Sequence, residues 1–202
     1  MARPRWSSVS SRTGSPGRNR RAGGDSGGTG PGGSTGGRGR GDTGPVDPFP
    51  VTDLESYLGG HWRIDRVIVD AAGAPAGGFT GHAAITPEGD GVLRYRERGT
   101  LRLGTHTGEA SRTLRYEVTG PGRADVRFEH GGFFHAVDLR EGRWRTEHPC
   151  AADLYRVAYR VLGPGQWSQE WTVSGPAKDH TIRSAFHRLA GHPGRLRPGG
   201  DR

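Results

Sequence analysis

The chain has 202 residues and a formal net charge of +8, enough for one domain with extensions. The charge is unevenly placed: residues 1–45 carry 8 − 2 = +6, residues 190–202 carry 3 − 1 = +2, and residues 46–189 carry 18 − 18 = 0. The folding part is neutral and lacks the basic stripe of a specific nucleic-acid binder, and no apolar run approaches the roughly 18 residues needed to span a membrane.

In chain order, residues 1–50 read as a disordered Gly/Arg/Pro-rich leader. Residues 1–45 hold 14 of the 37 glycines and a single aromatic, Trp6, so they cannot bury enough apolar surface to offset their ordering entropy. Without a secretory apolar stretch in residues 1–30, a cytoplasmic location is expected. Cys150 is the only cysteine, so no intrachain disulfide forms and the core must hold the fold.

The domain is expected over residues 51–189, with a disordered tail over 190–202. Thr52-Asp53-Leu54-Glu55 has the capping-box pattern, with Thr52 as cap. Leu54, Tyr57 and Leu58 would share one helical face, and Gly59-Gly60 would end the turn.

Period-two segments bounded by glycine and proline follow. They predict strands at about 61–69, 78–86, 92–98, 100–103, 110–119, 124–129, 133–139, 143–148, 153–162, 166–174 and 180–189. The turns are short, so neighbouring strands pair antiparallel, and no intervening helices support a parallel sheet. The fold class is therefore all-β: an antiparallel barrel with a short N-terminal helix, because closure removes exposed sheet edges. Polar residues share the apolar faces: Arg112 with Leu114 and Tyr116, His135 with Phe133 and Val137, His148 with Trp144. Turned inward, such faces make an apolar cavity with a few fixed polar groups, the usual composition of a small-molecule site.

Gly60-His61-Trp62, after a short helix and opening the first strand, resembles the G-x-W start of lipocalins and other calycin barrels. That resemblance implies that Trp62 closes one barrel end beneath an arginine of a late strand, Arg183 or Arg188, of which Arg183 is taken as the structural partner. Over about 57–188 the chain also resembles a bacterial and fungal family, domain of unknown function 6314. The motifs are Tyr57-Leu58-Gly59-Gly60-His61-Trp62 with Arg66, Gly78-Phe79-Thr80-Gly81, Tyr95-Arg96-Glu97 and Arg112. Further along stand Val126-Arg127-Phe128, Phe133-Phe134-His135, His148-Pro149-Cys150 with Asp153 and Tyr155, then Trp167, Trp171 and Val173-Ser174-Gly175-Pro176-Ala177-Lys178-Asp179. The resemblance implies a calycin-like barrel and brings no activity with it.

The candidate ligand-binding residues are Glu97, Arg112, His135, His148, Asp153, Tyr155 and Lys178. Arg112 and Glu97 on apolar faces are costly to bury unpaired, so they pair with each other or Arg112 takes a ligand carboxylate. Pro149 is expected to break the ladder and free His148 and Cys150 to face inward. With His135 and Asp153 these would make a zinc set; Cys150 and His148 alone would make a nucleophile pair. His135 and His148 are also possible haem ligands. Lys178, the only lysine among 29 basic residues, would hold an anionic head group or form a Schiff base. The leading expectation is a barrel binding a small, mostly apolar ligand with a polar or acidic end. The alternative is an enzyme using His135, His148, Asp153, Tyr155 and Lys178 as acid, base or nucleophile.

Overall fold

The computed structural model describes residues 47–190. The expectations for residues 1–46 and 191–202 fall outside the described residues.

Helix α1 (Leu54–Leu58) buries Leu54, Tyr57 and Leu58, the face the spacing predicts. Its cap is Asp53 rather than Thr52: Asp53 Oδ1 accepts from the Ser56 amide at 3.0 Å. The Thr52 carbonyl is instead engaged by the Gly122 amide at 2.8 Å, which holds residue 52 outside the helical turn.

Ten strands follow: β1 (Gly60–Asp70), β2 (Pro75–Gly89), β3 (Val92–Leu103), β4 (His106–Gly120), β5 (Arg123–Phe128), β6 (Phe133–Asp138), β7 (Arg143–Cys150), β8 (Asp153–Gly163), β9 (Gln166–Gly175) and β10 (Lys178–Arg188). They form one sheet in the order β6-β5-β4-β3-β2-β1-β10-β9-β8-β7. Each hydrogen-bonded pair is antiparallel. The break expected near residue 99 does not occur, so two predicted strands are the single β3. Gly99 stays in the ladder opposite Gly81, and a Cβ on either would run into the Phe79 ring. The glycine pair thus lets Phe79 fold flat over the ladder without bending it.

The sheet curls into a nearly closed barrel whose seam lies between β6 and β7. Among the described residues no ladder joins those strands; side chains close the gap. Trp144 Nε1 donates to the Ala136 carbonyl at 2.9 Å, and the His148 ring packs edge-on against Phe134 at 5.2 Å. Pro149 does not break the ladder as expected. It pairs with Leu154, because β7 is an edge strand where a missing amide costs nothing on the open side. The chain reverses at Ala151, whose φ is 56°.

Ile64, Ile85, Leu93, Val126, Val161, Val173 and Phe186 fill the interior, each at most 1% exposed. Trp62 plugs one end at 0% exposure, its Nε1 donating to the Leu58 carbonyl at 2.8 Å and its ring edge-on to Trp167. The arginine over it is Arg188, with its guanidinium carbon 4.3 Å from the ring centroid. Arg183 is corrected: it lies on the outer face and pairs with exposed Glu170 at 2.7 Å. Alternation along β10 decides this, since Ile182, Ser184 and Phe186 point inward and an odd-numbered neighbour must point out. Gly60, at φ 114°, is where only glycine turns freely from α1 into β1, and its missing side chain leaves room for Arg188 Nη1.

Candidate ligand-binding site

Three polar groupings stand along the barrel wall. The first centres on Glu97, whose neighbours on β3 alternate so that Leu93, Tyr95 and Glu97 face inward. Arg66, from β1, grips the carboxylate as a fork, Nη1 to Oε1 at 3.1 Å and Nη2 to Oε2 at 2.9 Å. Arg112, opposite Glu97 in the β3–β4 ladder, reaches Oε2 at 3.3 Å. The Tyr95 hydroxyl donates to the same oxygen. Arg66 also donates through Nε to the buried Ser184 hydroxyl at 2.8 Å and lies 4.8 Å above the Phe79 ring. Burial alone would raise the Glu97 pKa, but Arg112 and Arg66 outweigh it and hold the carboxyl at about 2. Burial and the Glu97 charge push the Tyr95 hydroxyl well up.

The expected Arg112–Glu97 pair is thus present, but as part of a larger cluster. Arg66 and Tyr95 were legible only as motif letters. The signal that exposes Arg66 is the one used for Arg112: it alternates with Trp62, Ile64 and Ile68 on one face of β1.

The second grouping is a chain of ring hydroxyls ending on an imidazole. Tyr116 and Tyr159 hydrogen-bond each other, and the Tyr159 hydroxyl meets His135 Nε2 at 2.9 Å. His135 is 1% exposed, and its Nδ1 has no hydrogen-bond partner among the described residues. Its ring lies near-parallel to Phe134 at 4.6 Å and to Trp171 at 5.2 Å. Burial, with lesser contributions from His148 and Arg112, pushes its pKa down to about 3, so the imidazole is neutral at ordinary pH. Phe133 does not share this inward face as expected; it is half exposed while Phe134 is buried. A register shift between Val126 and Arg127 in the β5–β6 ladder supplies the reason, because an extra residue re-aims the side chains around it.

The third grouping stands at the end of the barrel opposite Trp62. Lys178 Nζ donates to Asp153 Oδ2 at 2.6 Å and to the Tyr155 hydroxyl at 3.0 Å, linking β10 to β8 across β9. The Asp153 bond, then that to Tyr155, raises the lysine pKa. This corrects the Schiff-base expectation for Lys178, which needs a lowered pKa and an unengaged amine. His148 packs between this group and the second, 5.2 Å from the Phe134 ring and 6.5 Å from Tyr155, and burial lowers its pKa.

The seven candidates therefore all line the interior, distributed over these groupings rather than meeting at one point. Among the described residues no three His, Cys, Asp or Glu side chains gather to hold a metal: Asp153 is taken by Lys178 and His135 Nε2 by Tyr159, so the His135, His148, Cys150 and Asp153 set does not form. A depression of about 600 Å³ on the outer face of β7–β9, between Arg145, Glu147, Arg156 and Glu170, involves none of the candidates.

A nearly closed antiparallel barrel, plugged by a tryptophan beneath an arginine and lined inside with fixed polar groups, defines a calycin-like barrel of the lipocalin type. The chain belongs to DUF6314, a family of unknown function, whose profile matches residues 58–188. No curated protein matches it in sequence. Among solved structures it is similar to the S-type phycobiliprotein lyase CPES from Guillardia theta, at 10% identity and a TM-score of 0.54, over 71% of this chain and 95% of that one. It is also similar to Rv2717c from M. tuberculosis, at 16% identity and a TM-score of 0.43, over 71% and 99% of the two chains. A de novo designed fluorescence-activating β-barrel matches at 14% identity and a TM-score of 0.40, over 68% and 98%. The likeness to the lyase is one of fold. No helix among the described residues is long and apolar enough to cross a membrane.

Proposed function

We propose that the barrel binds one small, mostly apolar molecule with a polar or acidic end, between the Trp62 plug and the opposite mouth. The observation that carries this reading is His135. A buried imidazole nitrogen without a partner costs about 1 to 3 kcal/mol, and here it stands in a wall of Phe134, Trp171 and Tyr159. A ligand with one hydrogen-bonding atom on an apolar body recovers that cost. The Tyr116–Tyr159–His135 chain suits either kind of ligand atom. With Nε2 accepting from Tyr159, Nδ1–H donates outward; with Nε2–H donating, Nδ1 accepts.

The enzymatic alternative has less support. An imidazole held near pKa 3 is too weak a base for proton transfer near neutrality, and Lys178 is tied up as an ammonium. Native mass spectrometry of the purified full chain is expected to show a single retained small molecule, lost in His135→Gln while the fold persists. An unliganded spectrum, together with no binding of either the neutral dye N-phenyl-1-naphthylamine or its anionic relative 1-anilinonaphthalene-8-sulfonate, overturns the reading.

A further inference from the structure

We infer that Trp167 is a second point of ligand recognition: its indole Nε1–H donates to an uncharged acceptor oxygen, so that the bound molecule is an aromatic ketone or ester seated against the Trp62 plug. The inference rests on the small-molecule reading above and adds to it the chemistry of the ligand's inner end.

Four tryptophans stand among the described residues, and three use their indole N–H groups within the chain. Trp62 donates to the Leu58 carbonyl at 2.8 Å, Trp144 to the Ala136 carbonyl at 2.9 Å and Trp171 to Gln169 Oε1 at 3.4 Å. Trp167 is 1% exposed, and its Nε1 has no hydrogen-bond partner among the described residues. An indole N–H can only donate, and a buried donor without an acceptor is rare enough in folded proteins to need an explanation.

Water is the first partner to consider, but a buried water needs roughly two to four polar contacts. The rings around Trp167 are Trp62, Tyr159 and Phe186. Trp62 Nε1 and the Tyr159 hydroxyl are already engaged, as is Oε1 of Gln169, the next inward residue of β9. A water there would find little besides the indole, whereas an oxygen carried on an apolar ring body needs no other polar contact.

The surroundings also set its charge and shape. The arginine at this end, Arg188, lies over Trp62 and is engaged by the carbonyls of Tyr57 and Gly59. An ion held by one neutral donor is costly to bury, so the oxygen is a neutral one. Tyr159 lies near-parallel to Trp167 at 6.2 Å and is 5.7 Å from His135. The open nitrogens of Trp167 and His135 thus neighbour the same tyrosine, one small aromatic molecule can span both, and a flat body suits walls made of rings.

Two neutral dyes test this on the full chain: 6-propionyl-2-dimethylaminonaphthalene, which carries a ketone, and 2-dimethylaminonaphthalene, which lacks it. The ketone is expected to bind at one per chain and about tenfold more tightly than the second dye. In the spectrum of a chain with isotope-labelled tryptophan it should move the Trp167 indole N–H resonance downfield, a shift the second dye does not cause. Trp167→Phe keeps an aromatic ring and removes the donor, so it is expected to erase the preference while still binding the second dye. If that variant does not fold, the wild-type resonance decides alone. Equal affinities, a preference that survives Trp167→Phe, or an unmoved Trp167 resonance overturns the inference. Binding of either dye, or of N-phenyl-1-naphthylamine, then leaves the small-molecule reading standing; a chain that binds none of the dyes and retains no molecule removes both.

Discussion

The Arg188 guanidinium lies over the Trp62 indole and donates to the carbonyls of Tyr57 and, at 2.7 Å, Gly59. One arginine thereby satisfies the open C-terminal end of α1 and covers the barrel plug. Replacing Trp62 by alanine is expected to cost about 3 to 5 kcal/mol, the range for deleting a large buried aromatic. Arg188→Gln strands buried carbonyls and should cost about 1 to 3 kcal/mol. Arg183→Ala removes only an exposed ion pair and should cost less than about 1 kcal/mol. Urea titration of the three variants checks the order; an Arg183 variant as damaged as the Arg188 one contradicts the assignment.

Glu97 sets the acid limb of stability. Its carboxyl is held at about 2 in the folded state against roughly 4.3 when unfolded, so its stabilisation is complete above the unfolded value and disappears as pH falls toward 2. Glu97→Gln leaves two guanidiniums unbalanced and is expected to cost about 3 to 5 kcal/mol at pH 7. The penalty should shrink below pH 4 in thermal melts, where the wild-type carboxyl loses its advantage.

His135 acts in a second window. Held near 3 in the fold against roughly 6.5 unfolded, it stays neutral while the unfolded chain takes up a proton. Stability should therefore fall as pH drops through 6.5 toward 3. His135→Gln is expected to flatten this part of the profile in chemical denaturation between pH 4 and 7. A variant with the wild-type slope there would show that the imidazole is already protonated in the fold.

Lys178 and Asp153 are about one-fifth exposed, so solvent screening keeps their pair modest. Lys178→Met should cost about 1 kcal/mol at pH 7, and much less when Asp153→Asn is already present; a double-mutant cycle reads the coupling. The lysine pKa is raised in the fold, so its contribution is full below the unfolded value of roughly 10.4 and is lost as pH rises through the folded one. The difference between wild type and Lys178→Met should narrow in that range. A cycle with no coupling contradicts the pairing.

The barrel was legible because glycine and proline punctuate short alternating segments, and hairpin turns dictate antiparallel neighbours. Which residues meet across it was less legible. Glu97 and Arg112 sit on consecutive strands, so their pairing follows from local register, whereas Arg66 comes to Glu97 from β1 across β2, a relationship set by sheet curvature. Lys178 and Asp153 likewise meet over β9. Phe133 and Phe134 were read in the wrong phase because a bulge has no strong sequence mark, and one residue of slip exchanges the two faces. The hydroxyl chain of Tyr116 and Tyr159 was hidden for another reason: an inward tyrosine is indistinguishable in sequence from ordinary core.

The order of strands also has a kinetic consequence. Among the described residues, the one ladder joining the two halves of the ring sets β1 against β10, with Trp62 opposite Arg188, while the gap falls between consecutive strands β6 and β7. Every other pairing is local in sequence and can form early, but this one waits for the far end of the chain, the kind of long-range closure that slows folding. A nascent chain emerging from the ribosome can thus hold its hairpins before β10 arrives, yet cannot seat Trp62 under Arg188. Until the last strand is synthesised it shows the β1 and β9 edges to other chains, and crowded translation is when this protein is most exposed to aggregation.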